Sequence, residues 1–165
     1  MTRSIILACG NPLRGDDGVA PQIARNLEPD AGPGTEVLCV HQWTPELAES
    51  LSKSELAIFV DASAAIAAGE IHLQEISARQ ETAGVTTHSL TPQRLLALAR
   101  ELYQKVPERA FLLTVGGASF EHGAQLSDVV RRAVPAACNQ VKALLSGGVL
   151  PAGGSAQSLE SKGKT

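Results

Sequence analysis

The sequence predicts an α/β fold, a three-layer α/β/α sandwich around a largely parallel five-stranded sheet. Three observations predict it. Short, continuous apolar runs end in Gly, Pro or Asp, as strands buried on both faces do. Segments with helical apolar spacing separate these runs at βαβ lengths. The chain of 165 residues is 44% hydrophobic and 19% charged, which is ordinary for one globular domain with a real core. Aromatics are only 3%, so that core must be built from Leu, Val, Ile and Ala.

Ser4 to Cys9 (SIILAC) reads as the first strand, closed by Gly10-Asn11-Pro12. Val19, Ala20, Ile23, Ala24 and Leu27 then mark one face of a helix, with Pro21 tolerated in its first turn. Glu36 to Val40 is a second strand. Thr44-Pro45-Glu46 offers an N-cap, a proline at the first helical position and an acid, opening a helix to about Leu51. Leu56 to Val60 (LAIFV) is a third strand ending in Asp61. Ile71 to Ile76 is weaker and alternating, as expected nearer a sheet edge. Ser89 to Tyr103 is an amphipathic helix started by Thr91-Pro92, and Phe111 to Val115 is a fifth strand ending at Gly116-Gly117. Ser127 caps a long final helix through Leu145, in which Pro135 predicts a kink or a break. From 147 to 165 the chain turns to Gly, Ser, Pro and Lys, with too few apolar residues to offset ordering entropy, so a disordered tail is expected. The remainder, 1–146, reads as one domain.

Composition excludes several function classes. A net charge of −3 without a Lys/Arg cluster argues against phosphate-backbone binding, and the scarcity of rings argues against a base-stacking platform. Nucleic acid is therefore not expected as a partner. No run approaches the roughly 20 apolar residues needed to cross a bilayer, and the N-terminal run is too short for a signal peptide. The expectation is a cytoplasmic protein without a membrane partner. Cys9, Cys39 and Cys138 form no CxxC pair and read as reduced, small apolar residues. Cys9 adjoins the first loop, so a reactive role for it, including a Cys9–His88 pair, stays open.

Parallel α/β sheets bind ligands at the carboxyl ends of their strands, and three features fall at that edge. The loop Gly10-Asn11-Pro12-Leu13-Arg14-Gly15-Asp16-Asp17-Gly18 follows the first strand, Asp61 ends the third, and His88 precedes the amphipathic helix. Two carboxylates and an imidazole make a half-open metal site of hard oxygens and one borderline nitrogen. The loop lacks the P-loop lysine and the GxGxxG spacing, and paired acids at a helix N-terminus suit a cation better than phosphate. Taken singly, an Asp at a strand–helix junction is an N-cap, Asp61 a polar strand terminus and His88 a loop histidine. The two adjacent acids let Asp16 cap or support the loop while Asp17 faces the cleft. His41 and His72 have weaker cases, and His122 follows the fifth strand toward the same edge. Ser63 and Ser119 lack the nucleophile-elbow pattern of a serine hydrolase.

Read together, these segments resemble the hydrogenase maturation protease family, the HybD-like endopeptidases. The glycine-rich loop with Asp16-Asp17-Gly18 comes first, followed by the strand end Val60-Asp61-Ala62. Thr87-His88-Ser89-Leu90 then precedes a helix, and Leu113-Thr114-Val115-Gly116-Gly117 is followed by Leu126-Ser127-Asp128-Val129-Val130. The resemblance runs from about residue 4 to 146, and it implies a sandwich with one antiparallel strand, here Ile71–Ile76. It places metal-binding and catalytic function on Asp17, Asp61 and His88. Relatives often carry Glu at the first of these positions. Asp17 is one methylene shorter, which brings the metal closer to the loop. The turn Gly116-Gly117-Ala118-Ser119 lacks the Gln-Pro type found in some members.

The implied partner is the precursor of a nickel–iron hydrogenase large subunit, cut once near its C-terminus after nickel insertion. The implied nickel belongs to that precursor and is not held permanently by the protease. Two alternatives remain: a stand-alone metallohydrolase of similar architecture, and a non-catalytic precursor-binding protein.

Overall fold

Ser4–Cys9 forms β1, and all six of its residues are buried, as a strand covered on both faces requires. The computed structural model describes residues 3–78 and 90–148. After β1 come α1 (Val19–Leu27), β2 (Thr35–Val40), α2 (Leu47–Ser52), β3 (Leu56–Ser63), β4 (Ile71–Ile76), α3 (Pro92–Tyr103), β5 (Arg109–Gly116) and α4 (Asp128–Leu145). The strands form one sheet in the order β2-β1-β3-β5-β4. All neighbours are parallel except β4, which runs antiparallel to β5 at one edge. The sandwich with a single antiparallel strand is thus observed.

Alternation along the strands feeds two cores. Ile6 and Ala8 of β1 and Ile58 and Val60 of β3 pack under α1 and α4, against residues such as Ile23 and Val134. Ile5 and Leu7 with Ala57 and Phe59 face the other way, under Leu51 of α2 and Leu95 of α3. Two of the rings, Phe59 and Phe111, are fully buried, and Trp43 meets Phe59 edge-on with centroids 5.4 Å apart.

The differences from the sequence expectation lie at element ends. Thr44-Pro45-Glu46 does not open the helix. It forms a turn in which the Leu47 and Ala48 N–H groups donate to the Thr44 and Pro45 carbonyls, and α2 begins only at Leu47. β3 does not stop at Asp61 but runs to Ser63, because the longer β5 supplies partners: Asp61 pairs with Thr114 and Ser63 with Gly116. Thr91 is the N-cap of α3, its hydroxyl accepting from the Arg94 N–H at 3.1 Å, with Pro92 as first helical residue. α4 passes through Pro135 without a break. Pro135 is exposed, so solvent can reach the backbone carbonyl its missing N–H leaves free. His88 and the tail from 149 onward lie outside the described residues.

Candidate active site

Asp16 and Asp17 are neighbours in sequence with opposite environments. They sit in a 3-10 turn, Gly15–Gly18, that leads directly into α1. Asp16 is fully buried. Its carboxylate accepts from the N–H groups of Ala118 (2.7 Å), Ser119 (3.0 Å) and Ser127 (2.7 Å), and from the Ser127 hydroxyl (2.9 Å). Burial pushes this carboxyl up, but the four hydrogen bonds outweigh it and hold it below its usual range. The glycine on its N-terminal side is equally specified. Gly15 has φ +55°, and a Cβ there would lie 2.5 Å from the Ser119 carbonyl oxygen. Asp16 therefore straps the β1–α1 loop to the β5–α4 loop and is not itself a ligand.

Asp17 is half-buried, with one carboxylate oxygen accepting from the Asn11 N–H at 2.7 Å. The Asn11 side chain in turn accepts from the Leu13 N–H at 2.9 Å, an Asx turn that shapes the loop around it. Gly10 is required here, because a Cβ would run into the Asp17 carbonyl oxygen.

Asp61 reaches the same place from the sheet. The β1–β3 register ends at Ala8 with Val60, so Cys9 and Asp61 are the next residues on adjacent strands. Ile5, Leu7, Ala57 and Phe59 face the α2–α3 core, and alternation turns Cys9 and Asp61 to that face. Burial pushes the Asp61 carboxyl up to about 6; the Ala62 N–H, 2.8 Å away, opposes this, and the Asp17 carboxylate adds to it. Burial together with Asp61 and Asp17 pushes the Cys9 thiol up to about 12. The Asp17 carboxylate acts on both Asp61 and Cys9, which lie side by side at the carboxyl edge of the sheet. This also removes the reactive reading of Cys9, since a thiol held protonated beside two carboxylates is a poor nucleophile.

The structure thus places Asp17 and Asp61, two hard oxygen donors, near one another at the carboxyl edge of the sheet. His88, the expected third donor, lies outside the described residues, in the segment joining β4 to α3. Among the described residues no group of three metal-binding side chains occurs. Of the other histidines, His72 bonds Glu70 at 3.2 Å on the exposed face of β4, and His122 is exposed in the β5–α4 loop. His41 follows β2 and lines a groove beside Gly10. The Ser63 hydroxyl accepts from the Ala65 N–H, which is the behaviour of a turn residue. Asn11 was the partner not foreseen; the Asn-Pro pair opening the loop was its only signal.

No protein-family model matches the chain, and no curated protein matches it. Solved structures do. The hydrogenase maturating endopeptidase HybD from E. coli is 24% identical with a TM-score of 0.73, over 88% of this chain and 93% of that one. The NiFe hydrogenase maturation protease HycI from Thermococcus kodakarensis is 20% identical with a TM-score of 0.69, over 88% and 93%. A hydrogenase 2 maturation peptidase from a Thaumarchaeota archaeon is 24% identical with a TM-score of 0.66, over 88% and 99%. The chain has the fold of the hydrogenase maturation proteases.

Proposed function

We propose that this protein is an endopeptidase that removes a C-terminal peptide from the precursor of a nickel–iron hydrogenase large subunit after nickel insertion. The observation that carries it is the convergence of Asp17 and Asp61 at the carboxyl edge of a sheet whose fold is shared with hydrogenase maturation proteases. The donor chemistry fits: two carboxylates and the His88 imidazole suit a divalent ion of borderline character. In this reading Asp17, Asp61 and His88 grip the nickel carried by the substrate and so bring the scissile peptide bond to the cleft. The electron-withdrawing ion then polarises the carbonyl or an attacking water. A raised Asp61 carboxyl beside Asp17 is suited to holding or moving a proton at Asp61 Oδ. A site that grips only a metal already in the precursor makes cleavage conditional on metal loading.

The deciding experiment offers nickel-loaded and nickel-free precursors to the wild type and to Asp17→Ala, Asp61→Ala and His88→Ala. Loss of a C-terminal peptide from the loaded precursor alone, abolished by each substitution, is the expected result. Cleavage without nickel would replace this function with that of a metallohydrolase. Binding of the precursor without cleavage in any metal state would replace it with a holding role.

A further inference from the structure

The loop from Asn11 to Asp17 closes on itself. Its ends are joined where the Asn11 N–H donates to Asp17 Oδ2 at 2.7 Å. Between them lie two turns: the Arg14 N–H donates to the Asn11 carbonyl at 3.0 Å, and the Asp17 N–H to the Arg14 carbonyl at 3.2 Å. Asn is favoured at the first position of such a turn and Pro at the second, and Asn11 and Pro12 supply both. The Leu13 N–H, inside the first turn, donates to Asn11 Oδ1 at 2.9 Å.

From Asn11 to Arg14, the Asn11 side chain alone makes a hydrogen bond among the described residues. Two ties of this loop to the β5–α4 loop are made by backbone. The Gly123 N–H donates to the Leu13 carbonyl at 2.7 Å, and the Gly15 N–H to the Ala124 carbonyl at 3.1 Å. These bonds fix where the loop lies, but they touch neither oxygen of Asp17. The direction of the Asn11 N–H follows from the first turn, and the Asn11 side chain closes that turn from within.

The consequence falls on Asp17. With Oδ2 engaged, its other oxygen, Oδ1, has no partner among the described residues. Asp61 is arranged likewise: Oδ1 accepts from the Ala62 N–H at 2.8 Å, and Oδ2 has no partner among the described residues. Each acid therefore has one oxygen held and one to offer. The two holds differ in kind. Asp61 is held by the next N–H of its own strand, which pairing with β5 keeps in place without any side chain. Asp17 is held across six positions by a turn that one side chain completes.

We propose that Asn11 is a positioning residue for the grip on the substrate's metal: its carboxamide oxygen closes the turn, the turn aims its own N–H at Asp17 Oδ2, and Asp17 is left to offer Oδ1 alone. This rests on the endopeptidase function proposed above. The competing role is direct, with the Asn11 NH₂ group, which has no partner among the described residues, donating to the substrate. Three substitutions separate the two. Asn11→Asp keeps an acceptor for the Leu13 N–H and loses the NH₂ group, Asn11→Ser keeps a shorter, uncharged acceptor, and Asn11→Ala keeps neither. Hydrogen exchange at the backbone amide of residue 11, followed by NMR on the protein alone, reads the hold on Asp17. Cleavage of nickel-loaded hydrogenase large-subunit precursors reads its use. In Asn11→Ala the amide should exchange about tenfold faster or more, and kcat/KM should fall by about tenfold or more, the scale on which misplaced groups lose rate. Asn11→Asp should keep both within about threefold of wild type, with Asn11→Ser between, as the strength of their turns predicts. A protected amide and full cleavage in Asn11→Ala would overturn the proposal. So would Asn11→Asp with its amide protected and its cleavage lost, which assigns the work to the NH₂ group and decides the matter even where Asn11→Ala does not fold. Failure of the wild type to cut any precursor removes the endopeptidase function, and the exchange rates then judge the hold on Asp17 by themselves.

Discussion

Replacing Asp16 with Asn keeps the shape of the side chain and changes only its hydrogen-bonding character. One carboxylate oxygen accepts three hydrogen bonds, from Ala118, Ser119 and the Ser127 hydroxyl, and the other accepts one, from the Ser127 N–H. The amide oxygen takes the busier position best, which leaves an NH₂ group facing the Ser127 N–H, donor against donor. Two buried groups then lack partners, at about 1–3 kcal/mol each. The three surviving bonds lose their charge assistance, while relief of the buried charge offsets part of the loss. The net destabilisation is about 4 kcal/mol, within the range for breaking a buried charged network. Urea unfolding measures it: with a slope of about 2 kcal/mol per molar, the midpoint falls by about 2 M.

The pH dependence follows from the same geometry. The folded carboxyl is held below its usual range, and in the unfolded chain it titrates near about 3.9. Its stabilisation is therefore complete above about pH 4 and is lost as pH falls through the folded value. Wild type and Asp16→Asn should differ most at neutral pH and converge in acid. A midpoint shift below about 0.5 M at pH 7, or a gap that widens in acid, would refute the strap as described.

Three further outcomes are expected. In the native protein a thiol reagent at pH 8 should modify Cys39 and leave Cys9 and Cys138 intact until denaturant is added; labelling of Cys9 as fast as Cys39 would contradict a thiol raised to about 12. Gly10→Ala should displace the Asp17 backbone and abolish precursor cleavage while the far-UV circular dichroism stays that of the wild type; normal activity in that variant would mean the loop has room to spare. Phe59→Ala, fully buried and in edge contact with Trp43, should cost about 3–5 kcal/mol in urea unfolding, and a loss under about 1 kcal/mol would show that the α2–α3 core collapses around the cavity.

The most legible parts of this chain were those whose signal is local. β1 and α1 were readable to the residue, because a continuous apolar run and a helical stripe of Ile23, Ala24 and Leu27 need no distant partner to define them. β4 carried a weaker, alternating signal, and it lies at the sheet edge with the same bounds. The ends of β3 and β5 were not, since each is prolonged by the other. The Thr44-Pro45-Glu46 signal was chemically sound but was spent on a turn, leaving α2 short. At the site, the rule that parallel sheets bind at their carboxyl edge drew attention to Asp17 and Asp61, which the structure places at that edge. The division of labour between Asp16 and Asp17 was only half visible. The supporting partners of Asp16 lie 102 to 111 residues away, and nothing near Asp16 in the sequence announces them.

That separation also orders events in time. The loop bearing Asp16 and Asp17 leaves the ribosome well before its tether at Ser127, which comes 111 positions after Asp16. β5, which delivers the tethering loop, must first insert between β3 and β4. Contacts this distant along the chain form late, because loop closure must precede them. Until then both acids sit on an unanchored loop, and the arrangement of the candidate site is complete only once the β5–α4 loop has emerged. A nascent or truncated chain ending before the β5–α4 loop has the acidic loop but not its tether.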